Sequence, residues 1–132
     1  MSGLDREGVV VLVEDDEDVR SSLIWLLESF GLPVKPYSHP MAFLESTMPH
    51  GPRCVVLDLR LPDISGIEVL ERLRQRGDDS PVIVITGHGD MKAAAEARAL
   101  GAFDFLEKPF DEILFVSRLR AAFATMTRVA AA

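Results

Sequence analysis

The sequence predicts an α/β domain with a doubly wound, five-stranded, mostly parallel sheet and five helices. Three observations predict it. Continuous runs of Val, Ile and Leu recur at Val9–Val13, Cys54–Leu57 and Val82–Ile85, and such runs mark strands covered on both faces. Segments with apolar residues at helical spacing separate them. Strand and helix alternate along the chain, the pattern of strand–helix–strand crossovers, which are right-handed. At 132 residues a single domain is expected, with a core over about 9–124 and a C-terminal tail at 125–132.

Each element has its own warrant. Val9-Val10-Val11-Leu12-Val13 is a buried first strand. Val19, Leu23, Leu26, Leu27 and Phe30 then carry a helix, and Gly31 is placed to stop it. Leu32 to Tyr37 is a weaker strand holding two prolines, which suits a sheet edge. Met41 to Ser46 is a short helix. Cys54-Val55-Val56-Leu57 is the next buried strand, and the helix after it has an apolar stripe of Ile67, Leu70 and Leu73. Val82-Ile83-Val84-Ile85 is buried likewise. Met91 to Leu100 reads as a thin helix rich in alanine, and Phe103 to Leu106 as a last short strand. Ile113, Val116, Leu119 and Phe123 carry the final amphipathic helix. A flavodoxin-like strand order, 2-1-3-4-5, fits this series.

Composition excludes several classes of function. There are 14 Lys and Arg against 21 Asp and Glu, a net charge of −7. DNA binding needs a basic footprint, so this domain is not expected to grip nucleic acid. The single Cys54 excludes a disulfide framework and a thiolate zinc site. No apolar run approaches the about 20 residues that span a bilayer, and the first residues lack a signal peptide's apolar stretch. A cytoplasmic protein without membrane contact is the expectation.

Open parallel sheets bind ligands at the carboxyl ends of their strands. After Val13 come Glu14, Asp15 and Asp16; after Leu57 comes Asp58; after Ile85 comes Thr86; after Leu106 come Glu107, Lys108 and Pro109. One sheet edge therefore receives acids, a hydroxyl and an ammonium. Clustered carboxylates repel, by about 1 kcal/mol per pair at 4 Å in bulk water and more where water is excluded. A divalent cation relieves that, and oxygen-only ligands suit Mg²⁺. Asp58 can then act as nucleophile towards a phosphoryl group. Lys108 would neutralise the transferring oxygens, and Thr86 could donate to one of them.

The joint pattern Leu12-Val13-Glu14-Asp15-Asp16, Val56-Leu57-Asp58-Leu59-Arg60-Leu61-Pro62-Asp63-Ile64-Ser65-Gly66, Val84-Ile85-Thr86-Gly87 and Lys108-Pro109-Phe110 resembles the receiver domain of bacterial two-component response regulators. The resemblance covers about Val9 to Phe123. It implies Mg²⁺-dependent phosphorylation by a sensor histidine kinase, with Asp58 as phosphoacceptor. It gives Thr86 and Phe105 as the switch pair, Lys108 as the ammonium, and a cis peptide bond before Pro109. Family members usually carry an Arg five residues after the second metal-binding acid, so Arg20 aligns Glu14 and Asp15 with that pair. Asp16 is then left to serve the following helix; Asp15 with Asp16 is the alternative register. The backbone carbonyl of Arg60 completes the implied metal ligands. Arg60 and His88 hold positions that tune phosphoryl lifetime. The implied mechanism couples phosphorylation of Asp58 to inward movement of Thr86 and Phe105. The face made by the fourth helix, fifth strand and fifth helix then changes shape.

Plainer roles stand beside these. Phe105 fits simple core packing as well as a switch. Trp25 lies off its helix's stripe, either exposed towards a kinase or packed on the last helix. His39, His50 and His88 read as surface residues, Cys54 as core, and Gly87-His88-Gly89 as a loop admitting the phosphodonor. An aspartyl-phosphate phosphohydrolase of the haloacid-dehalogenase type is the alternative function, but it needs an Asp where Arg60 stands. A flavin module lacks its phosphate loop. The stretches around Thr86–Asp90 and Phe103–Phe110 most resemble receivers of helix-turn-helix or AAA+ transcription regulators. The chain is expected to be such a receiver, either stand-alone or, as favoured here, excised from a DNA-binding regulator. Pairing into a homodimer on phosphorylation is expected with it.

Overall fold

A computed structural model of the chain describes residues 7–87 and 91–131, with side chains described as far as Met126. Its strands are β1 (Val9–Val13), β2 (Val34–Tyr37), β3 (Arg53–Asp58), β4 (Val82–Thr86) and β5 (Asp104–Glu107). Its helices are α1 (Glu17–Ser29), α2 (Pro40–Glu45), α3 (Gly66–Gln75), α4 (Met91–Ala99) and α5 (Glu112–Ala131). The sheet runs β2-β1-β3-β4-β5 with every pairing parallel. Fold class, strand order and element count are as the sequence predicts. The edge strand β2 carries Pro36, which cannot donate to a ladder.

Strand side chains alternate between two cores. Val10, Leu12, Cys54, Val56, Ile83 and Ile85 face α1 and α5, meeting Leu23, Leu27, Phe115, Leu119 and Phe123. Val11, Val13, Val55, Leu57, Val82 and Val84 face the opposite side, meeting Phe43, Val69, Leu70, Leu73 and Ala97. Both faces are buried, which is why the runs are continuous rather than alternating.

Helix starts and stops follow local chemistry. Asp16 caps α1, its carboxylate accepting from the Val19 amide at 3.0 Å, the helix-start role expected of it from the sequence. Ser65 caps α3 through the Glu68 amide. Pro40 opens α2 one residue earlier than expected, at a position where its missing N–H costs nothing. Gly31 follows α1 at φ +79°, a conformation that only glycine adopts freely.

Two stripes differ from expectation. Ile113 is 72% exposed, and Phe115 is buried in its place. At 3.6 residues per turn, Phe115, Val116, Leu119, Ala122 and Phe123 form one stripe, and Ile113 falls roughly 120° from its centre. On α3, Val69, Leu70 and Leu73 are fully buried while Ile67 is half-buried, roughly 110° from that stripe by the same geometry. Phe30 sits on the α1 stripe but at its C-cap, where it is 38% exposed beneath the Arg120 guanidinium. Helix α5 continues through the stretch read as a tail, to Ala131.

Candidate functional site

Parallel pairing puts the carboxyl ends of β1, β3, β4 and β5 on one edge. Glu14 follows β1, Asp58 and Thr86 end β3 and β4, and Lys108 follows β5. All of Glu14, Asp58 and Thr86 are buried, which for two acids demands partners. Lys108 supplies them: its Nζ lies 3.1 Å from Asp58 Oδ2 and 3.6 Å from Glu14 Oε1. The other Asp58 oxygen, Oδ1, accepts the Arg60 amide at 2.8 Å. Glu14 Oε2 accepts the Asp16 amide at 3.1 Å. The Lys108 amide donates to the Thr86 carbonyl at 2.7 Å, tying β5's exit to β4's end. The Lys108–Pro109 peptide bond is cis.

The electrostatics follow from burial and proximity. Burial pushes the Glu14 carboxyl up to about 7. A hydrogen bond and the charge of Asp58 reinforce this, against the Asp16 amide and Lys108. Burial also works against the Lys108 charge, but Asp58 and Glu14 outweigh it and raise the lysine's pKa. Two carboxylates thus share one ammonium, and the pair remains under-compensated.

Of the predicted residues, Glu14, Asp58 and Lys108 meet directly. Thr86 stands at the next strand end, lining an adjoining cavity with Arg60, Ala93 and Glu96. A cleft of about 270 Å³ opens over Asp58, Arg60, Gly87 and Lys108. Asp15 is exposed. Among the described residues no three His, Cys, Asp or Glu side chains stand arranged to hold a metal. By kind, however, the donors fit Mg²⁺: the Glu14, Asp15 and Asp58 carboxylates and the Arg60 carbonyl are hard oxygens, and two of the carboxylates burden each other. Phe105 is half-buried against the core under α3 and α4. His88 lies outside the described residues. Trp25 is 74% exposed, and Cys54 is fully buried, which raises its thiol pKa.

Some contributors carry no sequence signal of their own. The Arg60 N–H on Asp58 is one, since any residue but proline supplies it. Gly66, which belongs to the quoted motif, has a steric role that the motif does not spell out: a Cβ there would meet the Asp58 carbonyl oxygen at 2.4 Å. Arg20 donates through Nη1 to the Glu14 carbonyl at 2.9 Å and the Asp15 carbonyl at 3.2 Å, a contact its alignment position did not reveal.

A five-stranded 2-1-3-4-5 sheet with acids, a hydroxyl and a lysine at its carboxyl edge defines a class of signalling domain. The chain belongs to the response regulator receiver domain family, whose profile matches residues 10–120. It is 49% identical over 113 residues to the transcriptional regulatory protein FixJ of Azorhizobium caulinodans, covering 86% of this chain and 54% of that protein. It is 40% identical over 118 residues to the response regulator protein TmoT of Ectopseudomonas mendocina, covering 89% of this chain and 54% of that one. The full-length FixJ structure from B. japonicum superposes with a TM-score of 0.86 at 37% identity, covering 95% of this chain and 62% of that chain. The chain spans about half the length of the curated relatives it matches. It is a receiver domain related to those of transcriptional response regulators, a signalling domain rather than a classical enzyme. Among the described residues no helix is long and apolar enough to cross a membrane.

Proposed function

We propose that this domain accepts a phosphoryl group on Asp58 from a sensor histidine kinase and passes the signal through its α4–β5–α5 face. One observation carries the reading: β1, β3 and β5 deliver Glu14, Asp58 and Lys108 to one point, with the ammonium 3.1 Å from Asp58. Asp58 is held by Arg60 N–H on one oxygen and by Lys108 on the other, so its carboxylate is oriented before a donor arrives. An Asp58 oxygen attacks the phosphorus of the donor phosphohistidine. The P–N bond breaks, and its electron pair returns to the imidazole. Lys108 follows the charge onto a phosphoryl oxygen, and Thr86 donates to another. Glu14, Asp15, Asp58 and the Arg60 carbonyl would hold Mg²⁺. Further neutralisation of the transferring oxygens is what that ion supplies when bound.

An apolar groove of about 450 Å³ runs between α1 and the loop after β5, beside Lys108, with Val19, Leu23, Leu26 and Phe110 in its walls. It gives a kinase helix a seat next to Asp58. Draw of Thr86 towards the phosphoryl group, with Phe105 following it inward, would reshape α4. The relatives' names point to transcription as the output, carried by a DNA-binding segment in a longer protein, acting in the cytoplasm.

The test is direct. Incubation with Mg²⁺ and acetyl phosphate should add one phosphoryl mass to the intact protein, and Asp58→Asn should abolish it. A wild-type protein that gains no mass, even when quenched rapidly in acid, sinks the proposal.

A further inference from the structure

The β1–α1 turn carries both acids of the predicted metal pair, and it is gripped from several sides. The Glu14 amide donates to the Tyr37 carbonyl at 3.0 Å. The Asp16 amide is taken by Glu14's own carboxylate at 3.1 Å, and the Asp16 carboxylate caps α1. What remains are the carbonyls of Glu14 and Asp15. Both go to a single nitrogen, Arg20 Nη1, reaching back from α1.

That choice of partner is informative. Arg20 follows four consecutive acids beyond Glu14, at Asp15, Asp16, Glu17 and Asp18, by two to five residues. Among the described residues it forms an ion pair with none of them. A guanidinium placed only to cancel charge would sit on a carboxylate, where the interaction is strongest. It would then compete with any cation for those oxygens. Arg20 takes the carbonyls and occupies none of the carboxylates.

We propose that Arg20 is a positioning residue for the acidic pair. Holding two successive carbonyls fixes the peptide planes from which the Glu14 and Asp15 side chains depart. It thereby sets where their carboxylates stand relative to Asp58 and Lys108. Its charge also offsets part of the repulsion in the pocket without occupying a ligand position. This inference rests on the receiver reading for the identity of the ligand, and on the turn geometry alone for the clamp itself. Groups that orient metal ligands through a second layer of hydrogen bonds are typically worth 10- to 100-fold in metal affinity.

Two measurements on Arg20→Met and Arg20→Lys test it. Calorimetric titration with Mg²⁺ alone should show about tenfold weaker binding in Arg20→Met. Arg20→Lys, which keeps the charge but has a shorter reach and no planar guanidinium, should fall between that and wild type. Independently, amide exchange in metal-free protein should speed up at Asp16 in both variants and stay unchanged in α3. Wild-type Mg²⁺ affinity together with wild-type Asp16 exchange in the variants, whatever their melting temperature, overturns the clamp. If wild-type protein itself binds no Mg²⁺, the receiver reading fails, and the exchange measurement still decides for or against Arg20. Should Arg20→Met not fold, Arg20→Lys carries both measurements.

Discussion

Gly66 occupies a position where no side chain fits. A Cβ would lie 2.4 Å from the Asp58 carbonyl oxygen and 2.8 Å from the Leu59 Cα. Both neighbours are backbone, so they yield only by moving the end of β3. The close approach lets the Gly66 amide reach the Leu59 carbonyl at 2.9 Å and start α3 directly beneath the site. We expect Gly66→Ala to cost about 1–3 kcal/mol in urea unfolding, the usual range for overpacking, and to slow Asp58 phosphorylation because its backbone is displaced. Unchanged stability would show that β3 yields freely there. At this scale the placement of acids, hydroxyl and ammonium on one sheet edge was legible, because polar residues following four buried apolar runs together are more specific than any one of them alone. Gly66's clearance and Arg60's N–H were not, because they depend on what lies across space rather than on residue type.

Among the elements, the strands were the most readable and the helix faces less so. Buried β-branched runs declare themselves, whereas a helix's buried face depends on which way it is rotated about its axis. Hence Ile113 and Ile67 read as core and proved peripheral. Helix α4 is the least anchored by side chains, burying only Ala94 and Ala97. Its C-terminal end is held instead by Arg74 of α3. That side chain donates to Leu100 O at 2.8 Å, Gly101 O at 3.1 Å, Asp78 O at 2.9 Å and Ser80 O at 3.0 Å. One guanidinium thus ties the exits of α3 and α4 together. Arg74→Met leaves four carbonyls to find other donors and should cost about 2 kcal/mol. Hydrogen exchange should then rise chiefly in α4 and the loop after it. An equal rise in α1 would mean a global effect and contradict the local clamp.

Over the whole molecule, the carboxyl edge proposed to receive the phosphoryl group, with Asp58 on the central strand β3, adjoins β4 and β5 on the side of the face expected to respond. Moving a two-state equilibrium from 1:99 to 99:1 takes about 5.5 kcal/mol. A phosphoryl group adding about −1.5 to −2 charges beside the half-buried Lys108 ammonium is the local source of such a bias. If the α4–β5–α5 face pairs on activation, sedimentation should show a mass near twice the monomer's when a phosphoryl mimic is added with Mg²⁺. A monomer under both conditions would defeat the pairing. By itself the sequence determined the fold class, the order of elements, and which residue types reach one sheet edge, because apolar periodicity and strand-end position are local properties of the chain. Only the tertiary structure decided that Lys108 bridges Glu14 and Asp58, that Gly66 must lack a side chain, and that Arg20 and Arg74 hold carbonyls rather than carboxylates. Those contacts join residues 4 to 94 positions apart in the chain, and residue type alone encodes no distance across space.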